Sequence, residues 1–364
     1  MRATSSPLPN NHHSSMATMQ HNLRPTLVTA AMSALLVLLW AACLVWGTVD
    51  IDTGSVAAIL SGGSSGNDAW DVIVLQSRLP MAATAALAGA ALAVAGLLLQ
   101  TTFNNPLADP SVLGVSAGAG LGVAVVMLAT GGSVGAMLGT GAGGYIATML
   151  AAMAGAMLVL TVLLAMAGIV RSSTMLLIVG IMVSYLASSI ISLLSAEASS
   201  EGLQSYVAWG FGNFASVGTD QLPVFGGCIA VALAASALMV KPLNAMLLGT
   251  RYAQNLGVDT RRTRNMLLLI AGALTAVVTA YCGPIGFIGM VVPHMARLAT
   301  GTSSHGRLLP ATMLAGADVA LLCALVSGTC GSHGVLPVNA ITPIIGVPVI
   351  IYIIVNRRRI HYFN

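Results

Sequence analysis

Long stretches without charge, separated by short polar corners, set the first limit on what this chain can fold into. A helix crossing a bilayer needs about 20 consecutive, mostly apolar residues, and a helix satisfies its own backbone there. Such stretches lie near 27–49, 80–101, 112–130, 145–169, 174–196, 222–241, 265–283, 286–300, 309–330 and 340–356, the eighth and tenth being short and interrupted. The expected fold is an all-α, polytopic membrane protein with about ten transmembrane helices. Only 7% of the residues are charged and 57% are hydrophobic, against about 25% charged in soluble domains. The 40 glycines suit helices that approach one another closely.

Charge gives the orientation. If the N-terminus is cytoplasmic, every basic residue except Arg78 falls on the cytoplasmic side, among them Arg24, Arg171, Lys241, Arg251, Arg261, Arg262, Arg264, Arg297, Arg307 and Arg357. The outer loops hold Asp50, Asp52, Asp68, Asp71, Glu197, Glu201 and Asp220. Residues 1–24 are rich in Ser, Asn, His and Pro, lack an apolar leader core and are expected to form a disordered cytoplasmic tail, with Met16 or Met19 open as alternative starts. A single membrane domain is expected over 25–358 and a cytoplasmic tail over 359–364, both termini being inside. The outer loop 50–79 contains Ser61-Gly-Gly-Ser-Ser-Gly66 and is expected to be flexible at its tip. Cys43, Cys228, Cys282, Cys323 and Cys330 read as small buried residues. Cys323 and Cys330 would lie about 10 Å apart along one helix, too far to bridge, while a Cys282–Cys330 pair at the outer surface stays open.

Several activities are excluded. There is no G-x-x-x-x-G-K-[ST], and the single lysine, Lys241, precedes Pro242, so ATP drive would have to come from another subunit. Gly139-Thr-Gly-Ala-Gly-Gly144 lacks the preceding strand and following acid of a dinucleotide site and reads as an outer loop. The basic residues are scattered over short loops, which speaks against nucleic acid. No paired acids, H-E-x-x-H or Ser/His constellation lies at membrane depth, so a membrane-embedded enzyme is poorly supported.

Three segments carry more specific information. The first is the corner Asn105-Pro-Leu-Ala-Asp-Pro110, followed by Gly114, Gly118 and Gly122, whose spacing puts them on one stripe for a close helix contact. The second is Leu248-Gly-Thr-Arg-Tyr-Ala-Gln-Asn-Leu-Gly257, where Thr250 to Leu256 could form a short helix closed by a left-handed Gly257. It reads either as an ordinary basic loop or as a surface helix presenting Tyr252 and Gln254 to a soluble subunit. The third is Gly283-Pro-Ile-Gly-Phe-Ile-Gly-Met-Val-Val-Pro-His-Met-Ala-Arg297, in which Gly283, Gly286 and Gly289 permit a sharp reversal. Here Pro293 interrupts a helix, His294 satisfies a neighbouring group or holds a metal or haem, and Arg297 sits at the inner interface.

Together with Arg78-Leu-Pro80, Gln100, Trp209-Gly210, Leu336-Pro337 and the run Thr342 to Tyr352, these motifs stand in family order from about residue 78 to 355. The chain resembles the permease subunits of ATP-driven importers for iron chelates, haem and vitamin B12. The resemblance implies a ten-helix protomer paired with a second copy as a homodimer, with the path between the two and lipid around them. It also implies cytoplasmic ATPase subunits, an outer substrate-binding protein, transport by alternating access and the bacterial inner membrane. The ATPases would dock on Arg251, Tyr252, Ala253, Gln254, Asn255, Leu256, Gly257, Arg261, Arg262 and a second contact at Arg307. The cytoplasmic gate falls on Ser172, Ser173 and Thr174, which also read as a plain turn with Thr174 capping a helix. Asn105, Pro106, Asp109, Pro110, Gly283, Pro284, Gly286, Pro293, His294 and Arg297 would be structural corners. This chain would be no enzyme and bind neither metal nor cofactor, ATP being used by the partner. A ferric siderophore is the expected substrate as the family's commonest task, with haem and vitamin B12 open.

There are departures. Ala324 and Gly328 stand where the family carries an acid and an arginine, Val335 where it carries Glu, and Asn339 where it carries Gly. Asp318 lies inside the ninth span, as a structural or pathway residue. Arg78 as sole outer cation puts in doubt a docking mode built on outer arginines. The alternative is an ion-coupled secondary transporter built on broken helices at 286–300 and 336–356 with a buried acid such as Asp318.

Overall fold

The computed structural model describes residues 11–129, 142–170, 172–329 and 336–355, which form helices and turns with no strand among them. Helix α1 (Asn11–Val45) leads to two short outer helices, α2 (Thr53–Leu60) and α3 (Asp68–Val72), and a π-helical turn, Ile73–Arg78, feeds α4 (Leu79–Phe103). A 3₁₀ turn at Pro110–Leu113 precedes α5 (Val115–Ala129), followed by α6 (Ala142–Ile169), α7 (Ser173–Ala196) and α8 (Ser200–Gly210). After the turn Phe214–Ser216 come α9 (Leu222–Leu238), α10 (Val240–Leu247), α11 (Thr250–Asn255) and α12 (Thr260–Cys282). The chain closes with α13 (Ile288–Thr300), α14 (His305–Thr329) and α15 (Val338–Val355).

Each expected span has a helix: α1, α4, α5, α6, α7, α9, α12, α13, α14 and α15. Six of them are long and apolar enough to cross a membrane, and α9 with α10, bent by 51° at their junction, passes the same test as a pair. The bend falls at Met239, three residues before Pro242, which has no amide to continue the hydrogen bonding of α9 and fits the first turn of a new helix. Helices α5 and α13 have 15 and 13 residues, about 20 Å of rise and short of the hydrocarbon thickness. The irregular segments before them, Pro110–Leu113 and Gly283–Ile288, are largely covered by protein, as non-helical backbone near a bilayer must be.

Helix α4 is the centre, buried along most of its length and apolar on every face, as a helix surrounded by others must be. It packs against α14, α12, α13 and α9, while α5 packs on α6, α7 and α8. Glycine sets these approaches. A methyl on Gly89 would stand 2.1 Å from the Gly316 carbonyl oxygen, and one on Gly96 1.8 Å from that of Gly289. The expected stripe on α5 is two-thirds right. Gly118 and Gly122 meet Gly155 and Ala151 of α6, but Gly114 is the left-handed cap of the 3₁₀ turn and faces Gly180 of α7 instead.

Several expectations change. Helix α1 begins at Asn11, inside the stretch expected to be a disordered tail, and its membrane-length part starts at Pro25. The 61–66 tip, expected to be flexible, is held by Ser64 and Ser65, whose hydroxyls both donate to the Asp71 carboxylate at 2.7 Å. Arg78 is buried and donates to the carbonyls of Leu44 (2.8 Å), Val45 (2.6 Å) and Val49, closing the C-terminal end of α1. It is therefore a helix cap rather than an outer docking charge. Residues 1–10 and 356–364, Arg171, Cys330 and Val335 lie outside the described residues, and with them the Cys282–Cys330 pairing and the first half of the 139–144 loop. Cys43, Cys282 and Cys323 are buried thiols and Cys228 is exposed.

Candidate functional site

The corner after α4 is locked to α13 by polar groups. Asn104 ends α4 in the left-handed conformation, and Asn105 Oδ1 accepts from the Leu107 amide at 3.0 Å, an Asx turn of the kind asparagine favours. Asp109 accepts from the Ser111 amide at 2.9 Å and caps the 3₁₀ turn that Pro110 opens. Burial raises the Asp109 carboxyl above the ordinary range despite these bonds from Ser111. His294 Nε2 donates to the Pro106 carbonyl at 2.6 Å, so this histidine satisfies backbone. Arg297 is buried, and its Nη1 donates to Gln100 Oε1 at 2.9 Å. Gln100 Nε2 donates in turn to the Met290 carbonyl at 3.0 Å.

The stretch expected to be a cytoplasmic basic loop is mostly helical. The α10 residue Asn244 caps α14: its Oδ1 accepts from the His305 amide (2.8 Å) and faces His305 Nδ1 at 3.1 Å. Thr101 lies 2.9 Å from Nε2 of the same buried ring. The same Thr101 hydroxyl also faces the Leu97 carbonyl at 3.0 Å, four residues back. The expected helix at 250–256 is present as α11, and Gly257 has the expected positive φ of 83°. The amides of Gly257 and Val258 return to the carbonyls of Gln254 and Ala253, which closes the helix. Ala253 is its one buried residue, while Arg251, Tyr252, Gln254, Asn255 and Leu256 face outward, Tyr252 being 53% exposed. Asp259 Oδ1 accepts from the amides of Arg261 and Arg262 and starts α12. Arg262 and Arg307 are exposed.

Arg261 and Arg264, on one side of α12, reach the end of α6. Arg264 Nη2 donates to the carbonyls of Ala167 (2.6 Å) and Val170 (3.2 Å), and Arg261 donates to that of Gly168. The expected gate follows directly. Ser172, not Thr174, is the cap of α7, its hydroxyl facing the Met175 amide at 3.5 Å. Ser172 and Thr174 are exposed. The cleft between α11 and the end of α6 has a volume of about 600 Å³, with Thr250 and Gln254 on one wall and Gly168 and Val170 on another.

On the outer side, Asn339 ties three segments together. Its Nδ2 donates to the carbonyls of Pro284 (2.7 Å) and Gly210 (3.1 Å), and its Oδ1 accepts from the Gly286 amide at 3.2 Å. The reversal has a second surprise: Gly283 takes a positive φ, but the other such residue is Phe287 (φ 69°), not Gly286. Asn339 showed in the sequence only as a departure, and Phe287 gave no signal at all. Helix α8 was also missed, being too short for a search based on membrane-length runs. Its Tyr206 and Trp209 stack at 6.2 Å between ring centroids and lie over Gly120 of α5. Asp318 is only 6% exposed, and its Oδ1 has no hydrogen-bond partner. Among the described residues no three His, Cys, Asp or Glu side chains converge to hold a metal.

Residues 35–356 match the model of the FecCD transport family. The vitamin B12 import system permease protein BtuC of Citrobacter koseri is 35% identical over 290 residues, covering 79% of this chain and 84% of that protein. The BtuC protein of Klebsiella pneumoniae is 35% identical over 288 residues, covering 79% and 83%. A solved structure described as an inward-facing conformation of a metal-chelate type ABC transporter superposes with a TM-score of 0.79 at 26% identity, covering 90% of this chain and 99% of that one.

Proposed function

The chain belongs to the FecCD transport family, and from that membership we propose that it is the membrane-spanning permease of an ATP-driven importer for a bulky metal chelate. It is a transport component and not an enzyme. ATP is consumed by cytoplasmic partner subunits, a binding protein delivers the substrate from outside, and both termini of the multi-pass chain lie inside, in the bacterial inner membrane. The observation that carries this function is α11. It is a short helix with Tyr252 exposed on it and Leu256 exposed at its end, packed mainly against its neighbours α10 and α12, with a cleft between it and the end of α6. An exposed aromatic and leucine flanked by arginines suit a protein partner. A transporter driven by ions alone has no use for such a lever.

The path runs between two copies of the chain. Helix α7 is as little covered as α1, and its open face carries Tyr185, Ser188, Ser189 and Ser192 among apolar residues. Ser189 and Ser192 donate to the carbonyls of Tyr185 and Ser188, four residues back, which keeps the hydroxyls satisfied while their lone pairs remain open to a polar ligand. A homodimer placing this face on a shared axis gives a wide, weakly polar conduit. The exposed outer charges are Asp50, Asp52, Asp68, Glu197, Glu201 and Asp220, with Arg78 buried. The docking face of the binding protein is therefore basic.

For the substrate, the similarity to BtuC supports a corrinoid of the vitamin B12 type ahead of the ferric siderophore expected from the sequence. Proteoliposomes holding the permease, its ATPase and its binding protein test this with radiolabelled cyanocobalamin and a ferric hydroxamate side by side. ATP-dependent uptake of cyanocobalamin alone supports the corrinoid, and uptake of the ferric chelate alone restores the siderophore. Uptake that needs an ion gradient and no ATP overturns the importer.

A further inference from the structure

We propose that Arg261 and Arg264 are the positioning pair that carries movement of α11 to the cytoplasmic gate, a role that rests on the importer function above. The carbonyls of Ala167, Gly168 and Val170 end α6 or follow it, where the helix itself supplies no donor. They need partners, and the guanidinium groups of Arg264 and Arg261 supply them, cations being favoured at a helix C-terminus. Both arginines sit in the first turns of α12, only a few residues after α11. The two helices are joined stiffly. Gln254 Nε2 donates to Thr260 Oγ1 at 3.1 Å, and Asp259 caps α12 through the amides of Arg261 and Arg262.

On the receiving side, Val170 is two residues before Ser172, the cap of α7. The cleft of about 600 Å³ lies between α11 and the end of α6. With this cleft between them, a shift of α11 reaches Ala167, Gly168 and Val170 through α12 and these two side chains. The bonds span sequence separations of 93 to 97 residues, so nothing local would form them by default.

The test uses the permease in complex with its ATPase subunits, spin-labelled at Ser172→Cys in both copies with the native cysteines replaced. The label-to-label distance is read without nucleotide and with ATP in a hydrolysis-blocked ATPase. The parent shows a nucleotide-dependent change. Arg264→Gln, at a buried arginine outside the expected docking set, is expected to keep the ATPase bound and hydrolysing while the distance change shrinks and substrate uptake falls by about fivefold or more, within the range of a lost coupling. A full distance change in this variant overturns the proposal, as does loss of ATPase binding, which would make Arg264 a docking residue. If it does not fold, Arg264→Lys is read instead. It keeps the charge but cannot reach two carbonyls in one plane, so a reduced amplitude supports the link and an unchanged one overturns it. A parent that binds no ATPase refutes the importer function itself, a result distinct from failure of the link.

Discussion

Arg297 donates to the side-chain oxygen of Gln100 across a buried contact of 2.9 Å, joining α13 to the last turn of α4. The amide end of Gln100 is spent on the Met290 carbonyl, so one glutamine answers both a guanidinium and a helix backbone. Gln100→Leu removes an acceptor from a buried cation and a donor from a buried carbonyl. It is expected to cost about 1–3 kcal/mol, read as a lower melting temperature in detergent. A melting temperature equal to that of the parent would show that water replaces the amide.

Gly96→Ala puts a methyl where the Gly289 carbonyl stands, with no side chain able to move aside. Overpacking of this kind costs about 1–3 kcal/mol and often more. Gly286→Ala is the control: nothing lies within 4 Å of its added carbon and its φ is not positive. Thermal unfolding should separate the two, and equal melting would contradict the close crossing of α4 and α13.

Asn339→Ala removes three side-chain hydrogen bonds that hold α8, the 283–287 reversal and α15 together on the outer side. The expected loss is about 1–3 kcal/mol. Asn339→Asp is expected to be at least as harmful, because it aims a carboxylate at the carbonyls of Gly210 and Pro284. A milder effect of aspartate than of alanine in the same melting assay would reject this arrangement.

Asp318→Asn separates the importer from ion coupling. A buried acid with an unpartnered oxygen is dispensable to ATP-driven transport but central to a carrier that moves protons or sodium. ATP-driven uptake by the Asp318→Asn protein should persist, with a melting temperature no lower than the parent's. Abolished uptake in a folded variant would assign the carboxylate to the transport cycle.

What could be read from the sequence depended on how local the cause was. Ten apolar runs announced ten helices because membrane length leaves a signal within each run. Gly257 announced the end of α11 because left-handed closure is a single-residue matter. The corner Asn105–Pro110 was visible through its prolines. Long-range partners were not. Nothing around Arg78 says that it closes α1, and nothing around Arg264 says that it reaches α6. The left-handed Phe287 escaped because glycines nearby made better candidates. Helix α8 escaped because its apolar residues cover a neighbour without spanning anything, and Asn339 because one polar residue at the start of a helix carries no periodicity.

The central claim is that α11 engages an ATPase, and it is tested by purifying the protein from its native membranes in mild detergent and identifying what comes with it. An ATPase subunit that accompanies the parent and is lost when Tyr252–Leu256 is replaced by glycine and serine is the expected result. An ATPase-free protein that still moves solute down an ion gradient would contradict it.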